Sequence, residues 1–353
     1  MIDTINTAII GFGLSGKVFH APFIHSHRGF HLSVVVERNR RESREIYPYV
    51  DVLNDYKFLL EDHTIDLVVV TTPNVFHFPM VRDLLEAGKH VIVEKPFVPT
   101  SMEADELIAL ANRTEKKIFV YQNRRWDGDF LTLVKLKEEG RLGDIRYYEE
   151  HFDRYSPEMK SGAWRDEAVP GSGILYDLGS HLIDHALCLF GMPKSIKADL
   201  KAERKDSPVD DYFRLELHYE KLTALLTAGM MVKEKGPRFI VDGTEGSFSK
   251  WGTDPQEALL KAGNMPIGED WGLDDKKYYG TLAKGMAAPL ELFQIPTLPG
   301  NYMAFYDNVY DVLTKDLPQA IPPEEARNVI FIIEKAFESN KTGRRIKTQK
   351  KQQ

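Results

Sequence analysis

The chain has 353 residues, 42% of them hydrophobic, and a formal net charge of −7, a length and balance that predict a soluble protein of two domains. With no basic excess there is no electrostatic footprint for nucleic acid or an anionic membrane, and neither is expected as a partner. No apolar run is long enough to span a bilayer, residues 1–10 carry no basic segment ahead of a signal-like core, and a cytoplasmic location is expected. The single cysteine, Cys188, rules out an internal disulfide and reads as a small buried hydrophobe.

Taken in chain order, Thr7-Ala8-Ile9-Ile10 reads as a short buried strand. It runs into Gly11-Phe12-Gly13-Leu14-Ser15-Gly16 and then a helical stretch through Phe23. In that setting the three glycines form a dinucleotide fingerprint. Gly11 allows the tight turn, Gly13 lets a pyrophosphate approach the backbone, and Gly16 permits close packing of helix on strand. The helix start offers unpaired N–H groups to the anion. A second strand, Leu32 to Val36, ends in Glu37, an acid about 20 residues beyond the last glycine. Glu37 can accept the adenosine ribose hydroxyls of NAD, whereas Arg38 with Arg40 and Arg41 could pair the 2′-phosphate of NADP. An inward Glu37 favours NAD and one turned away favours NADP, so NAD against NADP stays open at this level.

Strand-like and helix-like segments alternate up to about residue 122, the pattern of a parallel sheet with helices on both faces. Ile65 to Val70, Val91 to Val93 and Ile118 to Tyr121 are the later strands. Phe78 to Ala87, closed by Gly88, and Met102 to Arg113 have helical apolar spacing. Glu94-Lys95-Pro96 follows the apolar run His90 to Val93, where the carboxyl end of a strand meets the ligand crevice of an open sheet; Lys95 should point into that crevice. Beyond Gln122 a helix at about Phe130 to Glu139, capped by Asp127 or Asp129, precedes longer strands at Ile145 to Phe152, Ser195 to Glu203, Tyr212 to Tyr219 and Ala224 to Val232. The expected architecture is α/β, with a doubly wound Rossmann sheet in residues 1–122. Residues 123–353 form an α+β domain with a mainly antiparallel, open-faced sheet.

Within the second domain, Gly171-Ser172-Gly173 feeds a helical stretch in which Asp177 and His181 fall four residues apart. On a helix this puts a carboxylate beside an imidazole on one face, which suits an acid/base pair and equally an ordinary surface ion pair. Asp184 could orient His181 from behind. A metal is the poorer reading, since no further His or Cys appears at matching spacing. Residues 251–298, with Trp271, Tyr278 and Tyr279, read either as surface or as a lid or subunit contact. Glu324 to Ser339 is an amphipathic helix, and the basic tail Lys341 to Lys350 reads as solvated.

With Gly11-x-Gly13-x-x-Gly16, Glu94-Lys95-Pro96 and Asp177-x-x-x-His181 in that order, the whole chain resembles the Gfo/Idh/MocA family of NAD(P)-dependent oxidoreductases. Asn123-Arg124-Arg125-Trp126-Asp127, Tyr176-Asp177-Leu178-Gly179-Ser180-His181 and Leu189-Phe190-Gly191-Met192-Pro193 look most like its scyllo-inositol dehydrogenase branch, although Glu37 stands where that branch has a small hydroxyl residue. The resemblance implies a catalytic set of Lys95, Asp177 and His181. It also implies a cofactor loop at Thr71, Thr72, Pro73 and Asn74, with His77 as a contact or a structural cap partner, and a homodimer or homotetramer. A polyol or sugar substrate would need the donors and acceptors of Asn123, Arg124, Trp126, Asp153, Arg154 and Arg165. The expected chemistry is hydride transfer at a secondary carbinol. Two other readings stand beside it, a redox-neutral NAD-dependent glycosidase and a non-catalytic dinucleotide sensor.

Overall fold

A computed structural model describes residues 4–159 and 164–348; the end of the basic tail lies outside these residues. The chain divides into two compact units, Met1–Trp126 with Pro255–Trp271 and Asn301–Arg327, and Asp127–Asp254 with Gly272–Gly300 and Asn328–Gln353. The first unit thus takes in two late segments that fall within residues 123–353, the range expected for the second domain. The reason is packing: the helix Met303–Lys315 buries Phe305, Tyr306, Val309 and Val312 in the same core as Phe23, Phe30 and Tyr121. The rings of Phe23 and Tyr306 stack at 5.5 Å.

Six parallel strands build the first unit's sheet: β1 (Ile5–Ile10), β2 (Phe30–Val36), β3 (Asp51–Leu53), β4 (Leu67–Val70), β5 (His90–Val93) and β6 (Ile118–Val120). Their spatial order, β3-β2-β1-β4-β5-β6, is the doubly wound dinucleotide-binding order with its switch point between β1 and β4. Strands buried on both faces need unbroken apolar runs, and Val68, Val69, Val70, Val91, Ile92 and Val93 are all fully buried. Each such side chain contributes roughly 1.5–3 kcal/mol by leaving water. The register pairs Ile10 with both Val36 and Val70, Val70 with Val93, and Val93 with Val120. Consequently Gly11, Glu37, Thr71, Glu94 and Tyr121 stand in a row along the carboxyl edge. Just past that edge a capping box starts the helix Ser101–Thr114: the Thr100 hydroxyl accepts from Glu103 N at 3.2 Å, and the Glu103 carboxylate accepts from Thr100 N at 3.0 Å.

The second unit carries a nine-stranded sheet. Its strands are β7 (Ile145–His151), β8 (Ser195–Lys201), β9 (Tyr212–His218), β10 (Thr223–Gly229), β11 (Phe239–Gly243), β12 (Ser247–Lys250), β13 (Gly280–Lys284), β14 (Glu291–Ile295) and β15 (Ile346–Lys347). The order is β14-β13-β12-β11-β7-β10-β9-β8-β15, antiparallel throughout except where β7 meets β10. Along β7, Tyr148 and Glu150 turn inward while Tyr147, Glu149 and His151 lie toward the other face. The inward Glu150 is fully buried; it accepts from the Tyr148 hydroxyl (2.7 Å), forms an ion pair with the Arg238 guanidinium (2.9 Å) and has His185 Nδ1 also at 2.9 Å. Burial would push its pKa up, but His185 and Arg238 outweigh this and hold it below the usual range. Through His185 this cluster fastens the helix Ser180–Phe190 to the sheet, with Leu182, Ile183, Ala186 and Leu189 as its buried stripe. Cys188 falls off that stripe and is exposed, contrary to the reading of it as a buried hydrophobe.

Other differences are local. Gly128–Glu138 is a helix, yet neither Asp127 nor Asp129 caps it through its side chain; Gly128 N donates to Asp254 at 2.7 Å, and Asp129 accepts from the next residue's N–H. Residues 251–298 contain the short helix Gln256–Lys261 and the β13–β14 hairpin. Trp271 packs on the first unit's core and donates to Gln256 at 3.1 Å. Among the described residues no helix is long and apolar enough to cross a membrane, and no group of three or more His, Cys, Asp or Glu side chains is placed to hold a metal ion.

Candidate functional site

In the first unit the glycine roles separate cleanly. Gly11 has φ +94°, a conformation that L side chains rarely adopt, and the Thr71 hydroxyl props its carbonyl at 2.8 Å. A Cβ on Gly16 would sit 2.3 Å from the Gly11 carbonyl oxygen, so only glycine lets the helix come this close. A Cβ on Gly13 would meet no atom within 4 Å, so this side of the loop can admit a ligand against bare backbone. The residues therefore fit a dinucleotide pyrophosphate. Leu14 is exposed and Phe12 is buried edge-on to Tyr47. After the fingerprint the backbone makes a π-turn, Gly16–His20, before the α-helix Ala21–Ser26.

That π-turn delivers His20 to a buried network that sequence spacing does not reveal. His20 Nδ1 lies 2.6 Å from the Tyr306 hydroxyl and Nε2 3.1 Å from Glu94 Oε1. Ser15 donates to the same Glu94 oxygen, and the Lys95 backbone N–H donates to Oε2 at 3.0 Å. Burial alone would raise the pKa of Glu94, but His20, Lys95 and Ser15 outweigh it and pull the group down to about 2. Glu94 is thus a fixed anion beside Lys95, and it ties the strand end to the fingerprint loop. Lys95 is half-buried and the Lys95–Pro96 peptide bond is cis.

The loop after β4 is held from behind. His77, buried, sets Nε2 2.9 Å from the Thr72 carbonyl and Nδ1 3.1 Å from those of Pro96 and Phe97, joining this loop to the one after Lys95. Burial keeps its pKa below the ordinary histidine range. The Thr72 hydroxyl faces Met80 Sδ at 3.6 Å, Pro73 precedes the turn Asn74–Phe76, and Asn74 is fully buried. Glu37 is buried and accepts from Ser43 N at 2.9 Å and Glu42 N at 3.2 Å, while Arg38 is exposed.

In the second unit Asp177 lies in another π-turn, Leu175–Gly179, which continues as the helix carrying His181. The expected single α-helix is thus wound more loosely over its first turn, a deformation that recurs at functional positions. Asp177 Oδ1 meets Arg165 Nε at 3.1 Å. Both line a cavity of about 520 Å³ with Arg154, Arg204, Asp210 and Lys235. Asp210 accepts from Leu175 N at 2.8 Å and so anchors the start of this π-turn; Gly173, at φ +89°, leaves it room. Burial pushes the Asp210 carboxyl up to about 6. Neither Asp210 nor His20 was singled out by sequence, because each acts through a partner distant in the chain.

The remaining predicted residues are placed as follows. Asp153 has Oδ2 3.3 Å from His151 Nδ1, and Arg154 lies over the Phe152 ring. Asn123 and Arg124 are buried in the turn Asn123–Trp126 of the first unit, where Arg124 pairs with Glu257 at 2.5 Å. Trp126 packs edge-on to Phe305.

Comparison with known proteins agrees with this geometry. Residues 5–122 match the model of the oxidoreductase family's NAD-binding Rossmann fold, and residues 135–348 match that of the family's C-terminal alpha/beta domain. The chain is 39% identical to the scyllo-inositol 2-dehydrogenase (NADP(+)) IolW of Bacillus subtilis (strain 168), over 98% of this chain and 96% of that one. It is 42% identical to the uncharacterized oxidoreductase YdgJ of Escherichia coli (strain K12), over 97% and 98%. Among solved structures, yvaA of Bacillus subtilis superposes with a TM-score of 0.95 at 38% identity over 99% of each chain. An oxidoreductase from Bacillus cereus gives 0.90 at 36% over 98% and 99%. A fingerprint loop with its glycines in the expected roles, on a sheet of the expected order, together with matches over both units, places this chain in the Gfo/Idh/MocA family of oxidoreductases.

Proposed function

We propose that the protein is an NADP-preferring dehydrogenase or reductase acting on a secondary alcohol or ketone of a sugar or cyclitol, an inositol-like polyol, with Lys95, Asp177 and His181 as its catalytic set. The observation that carries the substrate reading is the second unit's cavity, where Asp177 shares the wall with Arg154, Arg165, Asp210 and Lys235. Such a wall offers the donors and acceptors that a ring of hydroxyls needs. The printed name of the Bacillus subtilis relative supports both the polyol and NADP. For the cofactor, support comes also from Glu37, whose carboxylate is engaged by the chain itself.

A bound nicotinamide supplies the hydride acceptor or donor. In the oxidative direction His181 takes the hydroxyl proton. Lys95 donates a hydrogen bond to the same oxygen and stabilises its growing negative charge, and Asp177 is assigned to orient the imidazole. Arg154 and Arg165 are the residues this reading assigns to substrate hydroxyls, since both line the cavity, where Arg165 also pairs with Asp177, whereas Arg124 and Asp153 lie outside that lining and are engaged by Glu257 and His151. The reading also includes a homodimer or homotetramer. Leu292 and Phe293, exposed on the edge strand β14, support it, and sedimentation velocity tests it.

The test of the reaction is initial-rate absorbance at the reduced-nicotinamide band, with inositol isomers and common aldoses each offered NAD and NADP. Turnover of a polyol with NADP is expected. Lys95→Met should lower turnover by at least about a hundredfold with cofactor affinity nearly unchanged. Tight cofactor binding with silence across the panel, or native rates in that variant, sinks the proposal.

A further inference from the structure

At the end of β2 the register sets Glu37 beside the fingerprint, where a free carboxylate would accept both vicinal hydroxyls of an adenosine ribose. The Glu37 carboxylate is not free. Its Oε1 accepts from the backbone N–H of Ser43 at 2.9 Å and from the Ser43 hydroxyl, and its Oε2 accepts from Glu42 N at 3.2 Å. These three bonds close residues 38–41 into a loop over the start of the helix Glu42–Ile46. Ser43 is fully buried, and Glu42 is held from the other side by an ion pair with Lys17, which follows the fingerprint directly. A carboxylate has about four acceptor positions, and three are occupied, so the bidentate grip that two ribose hydroxyls require is lost. Arg38, Arg40 and Arg41 are meanwhile exposed in the closed loop.

We infer that Ser43 is a specificity-determining positioning residue: by holding Glu37 against the start of the Glu42–Ile46 helix it keeps the carboxylate off the adenosine ribose and leaves that end of the site to a 2′-phosphorylated dinucleotide. The geometry separates two things that sequence alone joins, an acid at the end of the second strand and a preference for the unphosphorylated cofactor. Here the acid is used to build the loop. The N–H and O–H donors also weaken the repulsion that the carboxylate exerts on a 2′-phosphate.

The inference rests on the NADP reading, and titration of the purified full chain with NADPH and NADH separates the two. The wild-type chain should bind NADPH more tightly. Ser43→Ala removes one of the three bonds, freeing Glu37 toward the ribose, and should lower the ratio of NADPH to NADH affinity by about threefold to tenfold. A ratio is unmoved by a merely structural loss common to both ligands. Glu37→Gln, the second variant, should keep the ratio of NADPH to NADH affinity within about threefold of wild type, because no ribose contact is removed and any disturbance of the loop is common to both ligands; it decides the matter if Ser43→Ala does not fold. Tighter NADH binding by the wild-type chain overturns the NADP reading and this inference with it. An NADPH preference that Ser43→Ala leaves intact, or a rise of about tenfold in the ratio of NADPH to NADH affinity in Glu37→Gln, overturns the inference alone.

Discussion

Glu94 in the first unit and Asp210 in the second are carboxylates taken largely out of water beside candidate catalytic residues, Lys95 in one case and the π-turn of Asp177 in the other. Burial raises the pKa of both, yet Glu94 ends at about 2 and Asp210 at about 6. The difference lies in the partners. Glu94 is met by an imidazole, a hydroxyl and the charge of Lys95, whereas the Asp210 carboxylate receives, among the described residues, backbone N–H groups, chiefly that of Leu175. Backbone dipoles soften the cost of burying a charge; side chains that carry or share charge reverse it. The first arrangement makes a permanent anion under a lysine, and the second makes a helix anchor whose charge depends on pH.

Removing the better-partnered group is expected to have the larger effect. Glu94→Ala strands the His20 ring, the Ser15 hydroxyl and the Lys95 N–H in a buried setting and should cost about 3–5 kcal/mol, read as a shift in the urea midpoint at pH 7. The sign with pH follows from the depressed pKa. Between the ordinary 4.5 and about 2 the unfolded chain binds the proton more readily, so the stability from Glu94 is whole above pH 4.5 and fades as pH falls toward 2. The variant should lose that acid limb, and a variant with an unchanged midpoint would mean that the network does not hold the folded state.

Asp210→Asn should act in the opposite sense. Its folded pKa is raised from 3.8 to about 6, so the folded state keeps the proton longer and stability declines as pH rises through that window, by up to about 3 kcal/mol in total. Asparagine retains an acceptor for Leu175 N and cannot ionise. Urea midpoints taken from pH 4 to 8 should therefore coincide with wild type at the acid end and exceed it above pH 6. Parallel curves would show that Asp210 is better solvated than its position implies.

The contrast also marks what could be read from the chain. Glycine spacing after an apolar strand and an acid-lysine-proline triplet at the end of another are local patterns, and both lie at the carboxyl ends of their strands; the spacing of Asp177 and His181 is local too, but the backbone between them opens with a π-turn rather than an α-helical turn. The partners are not local. His20 reaches Glu94 across 74 residues and Tyr306 across 286, and Asp210 reaches Leu175 across 35. No periodicity encodes such pairs. The loose winding of Leu175–Gly179 was equally hidden, since a spacing of four residues fits an α-helix as well. Short or exposed elements are hard to read in the sequence for a different reason: β3 has three residues, and β14 is exposed at four of its five positions, so neither shows the alternation that marks a half-buried strand. The helix Met303–Lys315 follows a Gly-, Pro- and Asp-rich stretch whose composition resembles loop.

The smallest of the expected effects tests the comparison most directly, because it changes the number of partners without removing the charge. Ser15→Ala deletes one donor to Glu94 Oε1 and leaves His20 and the Lys95 N–H in place. The cost should be about 1 kcal/mol at pH 7. With one donor fewer the Glu94 pKa should rise from its present value, and the acid limb of the stability curve should begin at higher pH than in wild type. That shift, followed by urea midpoints between pH 2 and 5, ties acidity to partner number. If Ser15→Ala instead leaves the acid limb fixed while Glu94→Ala abolishes it, His20 and Lys95 alone set the charge of Glu94, and the fingerprint loop is coupled to the lysine by packing rather than by the shared carboxylate.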